Sequence, residues 1–582
     1  MSRNDEIATV LEEFADLLEA KGVEYKPTAY RRAAENVREH PAPVEGLAGE
    51  GADALKEIDR VGEAIASKIV EYVRTGSIEE LDELREELPV DMTALTRVEG
   101  VGPKTVGTLY SELDIKTLDE LEGAAEAGEI REIKGFGTKT EKNILENVPF
   151  ARNAQKRDRL GDARPVADAA LSYLADLGSV SKLEVCGSIR RWRDTIGDVD
   201  VLVASDERKA VVESFTDWPE ADATIEAGAN KASVRANGLR VDLRVVVIEE
   251  FGSALQYFTG SQEHNIAVRN RAIDQGLKVN EYGVFDVSDL DGPTVGQRVG
   301  DRIAGETEAG VYDALGMAWV PPELRENAGE VSAAADHGLP DLLEEGDVRG
   351  DIHTHSDWSD SNYTIAEMVE AATERGYDYH AVTDHATGPG IVGSVGLDED
   401  DLTAQAEAVA AVREEATIDV LHGVEANIDA DGGLSTDGDA LADLDIVIAS
   451  PHAALGNDEG ATERLVQAIE HPEVDVLGHP TGRIINGRAG LRVDFDRIGK
   501  AAAREGVAIE VNANPARLDA NGEAVRAIID AGATIAIATD AHSPREFEYV
   551  RYGVHTARRG WAERADVINT RSSEELRTFL ET

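Results

Sequence analysis

The chain has 582 residues, 42% apolar and 30% charged, an ordinary globular composition but too long for one core, so three or four domains are expected. It has no run of eighteen apolar residues, and its acidic, amphipathic start MSRNDEIATVLEEFADLLEA is neither a signal nor a transit peptide. A single cysteine, Cys186, excludes an intrachain disulfide, so a cytoplasmic protein with no membrane partner is expected.

The formal net charge of −56 argues against a polyanionic partner at ordinary salt, because phosphate contacts need lysine and arginine. Only fifteen basic residues are lysines, ten of them within 1–157 and one, Lys500, after residue 350. A uniformly acidic, lysine-poor surface is what a halophilic protein carries to stay soluble in concentrated salt. There the counterion-release contribution to DNA binding largely vanishes, leaving shape and hydrogen bonds to act. An acidic protein that never meets a polyanion is the alternative at this point.

Residues 1–150 read as short helices joined by glycine hairpins, with an internal repeat. Val98-Glu99-Gly100-Val101-Gly102 runs into Pro103-Lys104-Thr105, and Ile133-Lys134-Gly135-Phe136-Gly137 runs into Thr138-Lys139-Thr140. Such a hairpin opening a helix turns free backbone N–H groups outward, a sequence-independent cradle for phosphates. Gly100, Gly102, Lys104, Gly135, Gly137 and Lys139 are therefore DNA-backbone candidates, with K⁺ or Na⁺ as candidate hairpin ions. A weaker copy, Ile58-Asp59-Arg60-Val61-Gly62, opens a helix expected over Glu63–Arg74, and Arg60 stands where the first glycine should be.

Residues 160–320 alternate strands and helices. Gly197-Asp198-Val199-Asp200-Val201-Leu202-Val203 puts Asp198 and Asp200 on one strand face, and Arg240-Val241-Asp242-Leu243-Arg244 offers a third carboxylate. Three converging carboxylates suit two Mg²⁺ or Mn²⁺ ions, which can activate a hydroxyl and stabilise a leaving pyrophosphate. Upstream, Gly187-Ser188-Ile189-Arg190-Arg191 supplies a turn, a hydroxyl and two guanidinium groups suited to a triphosphate. The acidic, alanine-rich stretch 323–347 shows no strand pattern and is expected to be a hinge.

From residue 350 strand and helix alternate seven times, the strands ending in DIHTH, HAVTDH, VLHGVEAN, DIVIASPH, VDVLGHP, VAIEVNAN and TIAIATDAH. Helical stretches such as Ile365–Arg375 and Thr462–Glu470 between them predict a parallel sheet, and seven such strands ending in polar residues suggest a closed barrel with its site at the strand C-termini. Nine metal-ligand types collect there: His353, His355, Asp360, His385, Glu425, His452, His479, Asp540 and His542. Mixed imidazole and carboxylate ligation suits Zn²⁺, Mn²⁺ or iron, and nine ligands are too many for one ion. Two or three ions bridged by Glu425 fit the count; metals about 3.5–4 Å apart can share a hydroxide and grip a phosphoryl oxygen. Arg483 and Arg488, in TGRIINGR, are either phosphate clamps or part of a solvated loop. His40, His264, His337, His380, His422, His471 and His555 are expected not to be ligands.

Residues 1–322 resemble a family X DNA polymerase of the polymerase-beta type. The resemblance rests on LTRVEGVGPKT, GSIRR, GDVDVLV, RVDLR, FGSALQYFTGSQEHN, KVNEYGVF and LGMAWVPPELRE. It implies that Asp198, Asp200 and Asp242 bind the catalytic metals, and that Ser188 and Arg191 hold the incoming triphosphate. Tyr257, Phe258, Gly260 and Asn265 would form the nucleotide pocket, Arg269 would touch the template minor groove, and Arg240 would sit near the primer terminus. AYRRAAENV and EAIASKIVEYVRTG resemble that family's lyase domain, with Lys68 in the Schiff-base position and Lys26 as a phosphate contact; a solvated helix lysine is an equal reading of Lys68. Residues 348–582 resemble the PHP (polymerase and histidinol phosphatase) domain with all nine ligand positions filled, although Ser361 stands where glycine is usual.

The fold class expected is multidomain. It comprises a helical lyase-like domain (1–85), a helix-hairpin-helix fingers-type domain (86–150), an α/β nucleotidyltransferase palm (151–260), an α+β thumb (261–322), a linker (323–347) and a (β/α)7 PHP barrel (348–582). The resemblance implies a monomeric gap-filling repair polymerase, as in base excision repair, acting on gapped or nicked duplex DNA with deoxynucleoside triphosphates. The barrel would be a 3′–5′ exonuclease, 3′-phosphatase or abasic-site nuclease. Two alternatives are a barrel acting on small phosphomonoesters and a front half that is a non-catalytic DNA scaffold.

Overall fold

The computed structural model describes residues 3–581 apart from 24, 39, 41–43, 59, 76, 97, 99, 154–156, 291–296, 391–394, 437, 456–458, 487 and 489, so Asp59 and Glu99 of the hairpin motifs lie outside the described residues. The chain divides into two compact units, one of residues 1–158, 171–184 and 197–315, the other of residues 159–170, 185–196 and 316–582.

The first unit opens with a helical layer. Its first helix, Arg3–Ala20, buries Ile7, Leu11, Phe14 and Leu18, a spacing of four, three and four that lines one face. That face packs on the helix Lys26–Arg38, with the Phe14 and Tyr30 ring centroids 4.7 Å apart. Gly107 lets the helix Pro103–Leu113 approach the end of the first helix, since a side chain there would collide with the Ala20 carbonyl.

A five-stranded sheet follows in the same unit: β1 (Lys182–Val185), β2 (Val199–Ala204), β3 (Ala223–Ala227), β4 (Lys231–Ala236) and β5 (Leu239–Val246), in the order β1-β2-β5-β4-β3. β2 and β5 run parallel and bring Asp200 level with Asp242. β6 (Leu277–Asn280), β7 (Gly283–Asp286) and β8 (Asp301–Ala304) form a separate antiparallel sheet.

The second unit is dominated by seven parallel strands in sequential order: β9 (Gly350–Asp351), β10 (Tyr379–Val382), β11 (Asp419–Asn427), β12 (Ile446–Ser450), β13 (Val476–Leu477), β14 (Ala508–Asn512) and β15 (Ile535–Ala538). Nearly every strand residue is buried, as parallel strands covered on both faces require. Intervening helices include Ile365–Glu374 and Ala461–Ile469. The first and last strands nearly close the barrel: Thr354 bridges Ala541, and the His355 amide donates to the Ala541 carbonyl at 2.9 Å. Lower down, buried Asn569 bonds across the seam. Its Nδ2 donates to the Gly350 and Ile537 carbonyls at 3.0 and 2.9 Å, and its Oδ1 accepts from the Ile537 amide at 2.7 Å.

The stretch 323–347 departs from the hinge expectation. It carries a 3₁₀ turn at Pro322–Leu324 and a helix at Glu330–Ala335, and it buries Glu323, Arg325 and Glu330 within the second unit. Its buried charges have partners: Glu323 Oε1 lies 2.7 Å from both His555 Nδ1 and Arg558 Nε, and Arg325 donates to the Val320 carbonyl. His555 in turn stacks on Trp192, with ring centroids 3.7 Å apart. Among the described residues, no helix is long and apolar enough to cross a membrane.

Candidate metal centres

In the first unit Asp198, Asp200 and Asp242 offer oxygens that all lie within 4.8 Å of one another. Burial, then the neighbouring carboxylates Asp198 and Asp242, lifts the Asp200 pKa to about 7, and burial followed by Asp242 lifts that of Asp198. Such crowding of like charges is what a divalent cation relieves, so these residues fit the ions expected of them. Arg240, expected near a primer terminus, donates from Nε to both Asp242 oxygens at 2.9 and 3.0 Å and from Nη2 to Ser233 at 3.2 Å.

The predicted nucleotide-pocket residues cluster at the end of the helix Phe251–Thr259. Tyr257 and Phe258 meet edge-to-face at 5.1 Å, and Arg244 lies 4.3 Å over the Phe258 ring. Asn265 donates to the Tyr257 carbonyl at 2.7 Å and accepts from Gln256 at 2.9 Å, while Gly260 takes a φ of 60°. Arg269 is half-buried on the following helix, Gln262–Asp274.

The hairpin copies share one backbone. Val101, Phe136 and Val61 donate to Val98, Ile133 and Ile58 respectively, at 2.9 to 3.1 Å. Gly100 and Gly135 take φ of 81° and 100°, and Arg60 adopts 65° in the equivalent place, so the third copy keeps the turn despite its side chain. Gly102 and Gly137 precede their helices, and Lys104 and Lys139 are exposed. Lys68 is ion-paired with Glu80 and lies 4.7 Å over the Phe14 ring, and Lys26 is exposed at the start of its helix.

In the second unit all nine predicted ligands gather at the C-terminal ends of the barrel strands. Glu425 is the hub. Its Oε1 lies 2.9 Å from His479 Nε2, 3.2 Å from His452 Nε2 and 3.5 Å from His353 Nε2; its Oε2 lies 2.5 Å from His385 Nδ1 and 3.9 Å from His355 Nε2. Asp360 meets His542 at 3.1 Å and His385 at 3.5 Å, and Asp540 meets His355 at 3.1 Å. Three overlapping groups could each hold an ion: His355, Asp360, His385 and His542; His353, His355 and Glu425; His385, Glu425 and His452.

Among the described residues, the buried atoms of this cluster without a hydrogen bond include His353 Nε2, His355 Nδ1, His385 Nδ1 and Glu425 Oε2. Orphaned buried imidazole nitrogens beside a buried carboxylate are costly unless a cation binds them, so the donor set fits transition-metal ions. Burial opposes charge throughout, yet the imidazoles of His452, His385 and His353 hold the Glu425 carboxyl well below its usual range. For His353, burial is outweighed by Glu510 and Glu425, which raise its pKa; burial and the neighbouring His385 and His542 depress His355 to about 3.

Partners behind the ligands escape sequence reasoning. Glu510, fully buried on β14, accepts from His353 Nδ1 at 2.7 Å and from the His479 amide. Asn427 Oδ1 sits 2.6 Å from His452 Nδ1, and Asn512 donates to Asp540 at 3.2 Å. Arg517 Nε lies 3.5 Å from Asp540 Oδ2. Arg483 and Arg488 are held by their surroundings: Arg483 bonds to the Arg517 and Leu518 carbonyls and to Asp194, and Arg488 to the Gly482 carbonyl. Ser188 and Arg191 also fall in this unit, where Arg191 Nε donates to Glu326 at 3.1 Å. His380, His422 and His264 bond to Thr354, Gln405 and Tyr312.

Four segments match described families: a helix-hairpin-helix domain over 2–78, a SAM-like helix-hairpin-helix tandem over 92–147, the DNA polymerase beta thumb over 254–326 and the PHP domain over 351–514. The chain is 34% identical over 581 residues to the DNA polymerase/3′-5′ exonuclease PolX of Bacillus subtilis (strain 168), covering 99% of each chain. It is 25% identical over 346 residues to DNA polymerase lambda of Rattus norvegicus, covering 56% of each. A probable phosphatase of Shewanella sediminis is 29% identical over 203 residues, which are 33% of this chain and 77% of that protein.

Proposed function

Since the chain belongs to the family X DNA polymerases that carry a C-terminal PHP domain, we propose that it is a DNA repair enzyme with two active centres. The Asp198–Asp200–Asp242 centre extends a primer with deoxynucleoside triphosphates, and the barrel centre removes or cleans DNA 3′ ends. The coexistence in one chain of a three-carboxylate cluster and a nine-residue imidazole–carboxylate cluster carries this reading.

Divalent ions held at the two centres supply Lewis acidity and lower the pKa of the attacking hydroxyl or water. Asp200 and Asp242, level on adjacent strands, aim their oxygens at a common point, and Asp198 closes the set. Tyr257, Phe258 and Asn265 position the sugar and base, with Asn265 fixing the helix end through the Tyr257 carbonyl. Ser188 and Arg191 bind the triphosphate, for which Arg191 exchanges Glu326 for phosphate oxygens. Residues 86–150 grip the duplex backbone through Gly100, Gly102, Lys104 and Gly135, Gly137, Lys139. Lys68 must leave Glu80 before it can attack a sugar aldehyde.

In the barrel Glu425, the surrounding imidazoles, Asp360 and Asp540 would together hold the divalent ions. Glu510 holds the His353 ring so that Nε2 faces inward. The preferred ions are Mg²⁺ or Mn²⁺ at the first centre and Zn²⁺ or Mn²⁺ at the second. Tethering the two activities places each product near the next site.

A gapped duplex with a blocked 3′ end tests this in high potassium chloride with Mg²⁺, Mn²⁺ and nucleotides: end cleaning must precede extension. The likeness to a probable phosphatase favours a second reading, in which the barrel hydrolyses small phosphomonoesters. A free phosphomonoester cut faster than 3′-phosphorylated DNA would establish it.

A further inference from the structure

Resting on the DNA-end reading of the barrel, we propose that Tyr363 is the platform on which the 3′-terminal base of the substrate strand stacks during hydrolysis.

Access to the centre comes from one side. The side chains of His353, His355 and Glu425 are 0% exposed, His479 1%, Asp540 6%, and His385 and His452 12%. His542 at 32% and Asp360 at 36% are the open ligands. A phosphodiester must therefore arrive over Asp360 and His542.

The loop that carries Asp360 is tied to that rim. Ser361 Oγ donates to the His542 carbonyl at 2.7 Å and accepts from the Tyr363 amide at 3.1 Å, while the Tyr363 carbonyl accepts from the Asp357 amide at 2.8 Å. Thr364 then caps the helix Ile365–Glu374. The Tyr363 backbone is thus fixed through both its polar groups, three residues from an open ligand, while 38% of the residue stays exposed. Among the described residues from 350 onward it is the only large apolar or aromatic side chain 38% exposed or more.

A rigidly mounted, exposed ring beside a phosphodiester site suits a nucleobase, because every base has a π-face and stacking tolerates any sequence. Stacking also needs no lysine and persists in salt that weakens phosphate contacts, which suits a half-chain with one lysine, Lys500, after residue 350.

The test uses the full chain with Mn²⁺ and two single-stranded oligonucleotides, one ending in an ordinary nucleotide and one in a tetrahydrofuran abasic residue. Wild type should show a lower KM for the base-bearing end. Tyr363→Ala should raise that KM about tenfold, the worth of one base–aromatic stack, while shifting the abasic end by less than twofold and leaving bound metal unchanged; Tyr363→Phe should resemble wild type. A 3′-terminal 2-aminopurine should be quenched on binding to wild type and Tyr363→Phe but not to Tyr363→Ala. Equal KM values for the two ends in wild type, or an unaltered ratio in Tyr363→Ala, overturns the assignment. Failure of wild type to cut either oligonucleotide has a different signature: it removes the DNA-end reading and this assignment with it.

Discussion

Glu510→Gln isolates the contribution of one buried carboxylate to metal affinity. The wild-type oxygens accept from His353 Nδ1 and the His479 amide, so Glu510 orients one ligand ring and anchors the backbone of a second. Glutamine keeps the shape but has one acceptor oxygen, so one of the two N–H donors must face an NH₂ group, and the charge that raises His353 basicity is gone. Losing a partner of this kind weakens metal binding about 10- to 100-fold, or roughly 1.4–2.7 kcal/mol. Competition against a graded chelator, followed by elemental analysis of the purified chain, measures it directly. Primer extension supplies the internal control, because Glu510 belongs to the barrel. Affinity within twofold of wild type would falsify the assigned role of Glu510.

The other predictions address the two centres, the packed 323–347 stretch and the seam. Asp198→Ala with Asp200→Ala should abolish primer extension and spare DNA-end hydrolysis; persistent extension in a gel assay would refute the carboxylate assignment. His353→Ala with His355→Ala should do the reverse and lower the metal content on elemental analysis. Glu323 is pulled down to about 2 by His555 and Arg558 against its burial. Its stabilisation, on the order of 3 kcal/mol, is fully present above its unfolded pKa of about 4.3 and lost as pH falls toward 2. Glu323→Gln should flatten that acid limb in urea titrations, and an unchanged limb would count against the pairing. Asn569→Ala leaves two carbonyls and one amide without their partner, costing roughly 3–9 kcal/mol at about 1–3 kcal/mol per group, to be read from equilibrium denaturation.

Much of both centres is legible in the chain because strand chemistry is local. An alternating pattern groups His353 with His355 and Asp198 with Asp200, although the strands themselves stop at Asp351 and start at Val199, and strand ends announce His385, His479 and Asp540 without tertiary information. Partners across the sheet are another matter. That Asp200 stands level with Asp242, or that Glu510 reaches His353, depends on register and on a contact spanning 157 residues. The 323–347 stretch misleads for a physical reason: composition registers the charges of Glu323, Arg325 and Glu330 but not that these side chains are buried against specific partners. Arg60 misleads likewise, because its turn is set by the hydrogen bond from Val61 to Ile58 and overrides the preference for glycine.

The seam between β9 and β15 is spanned by Asn569, by Asp351, which accepts from the Thr539 amide and hydroxyl, and by the main-chain bridge between Thr354 and Ala541. Its two lips also carry His353 and His355 on one side and Asp540 and His542 on the other. Ions held by these residues would act as a clasp, and loading the cluster and sealing the cylinder would then be one thermodynamic event. Chelation should then raise amide exchange first along these two lips, well before the interior strands yield.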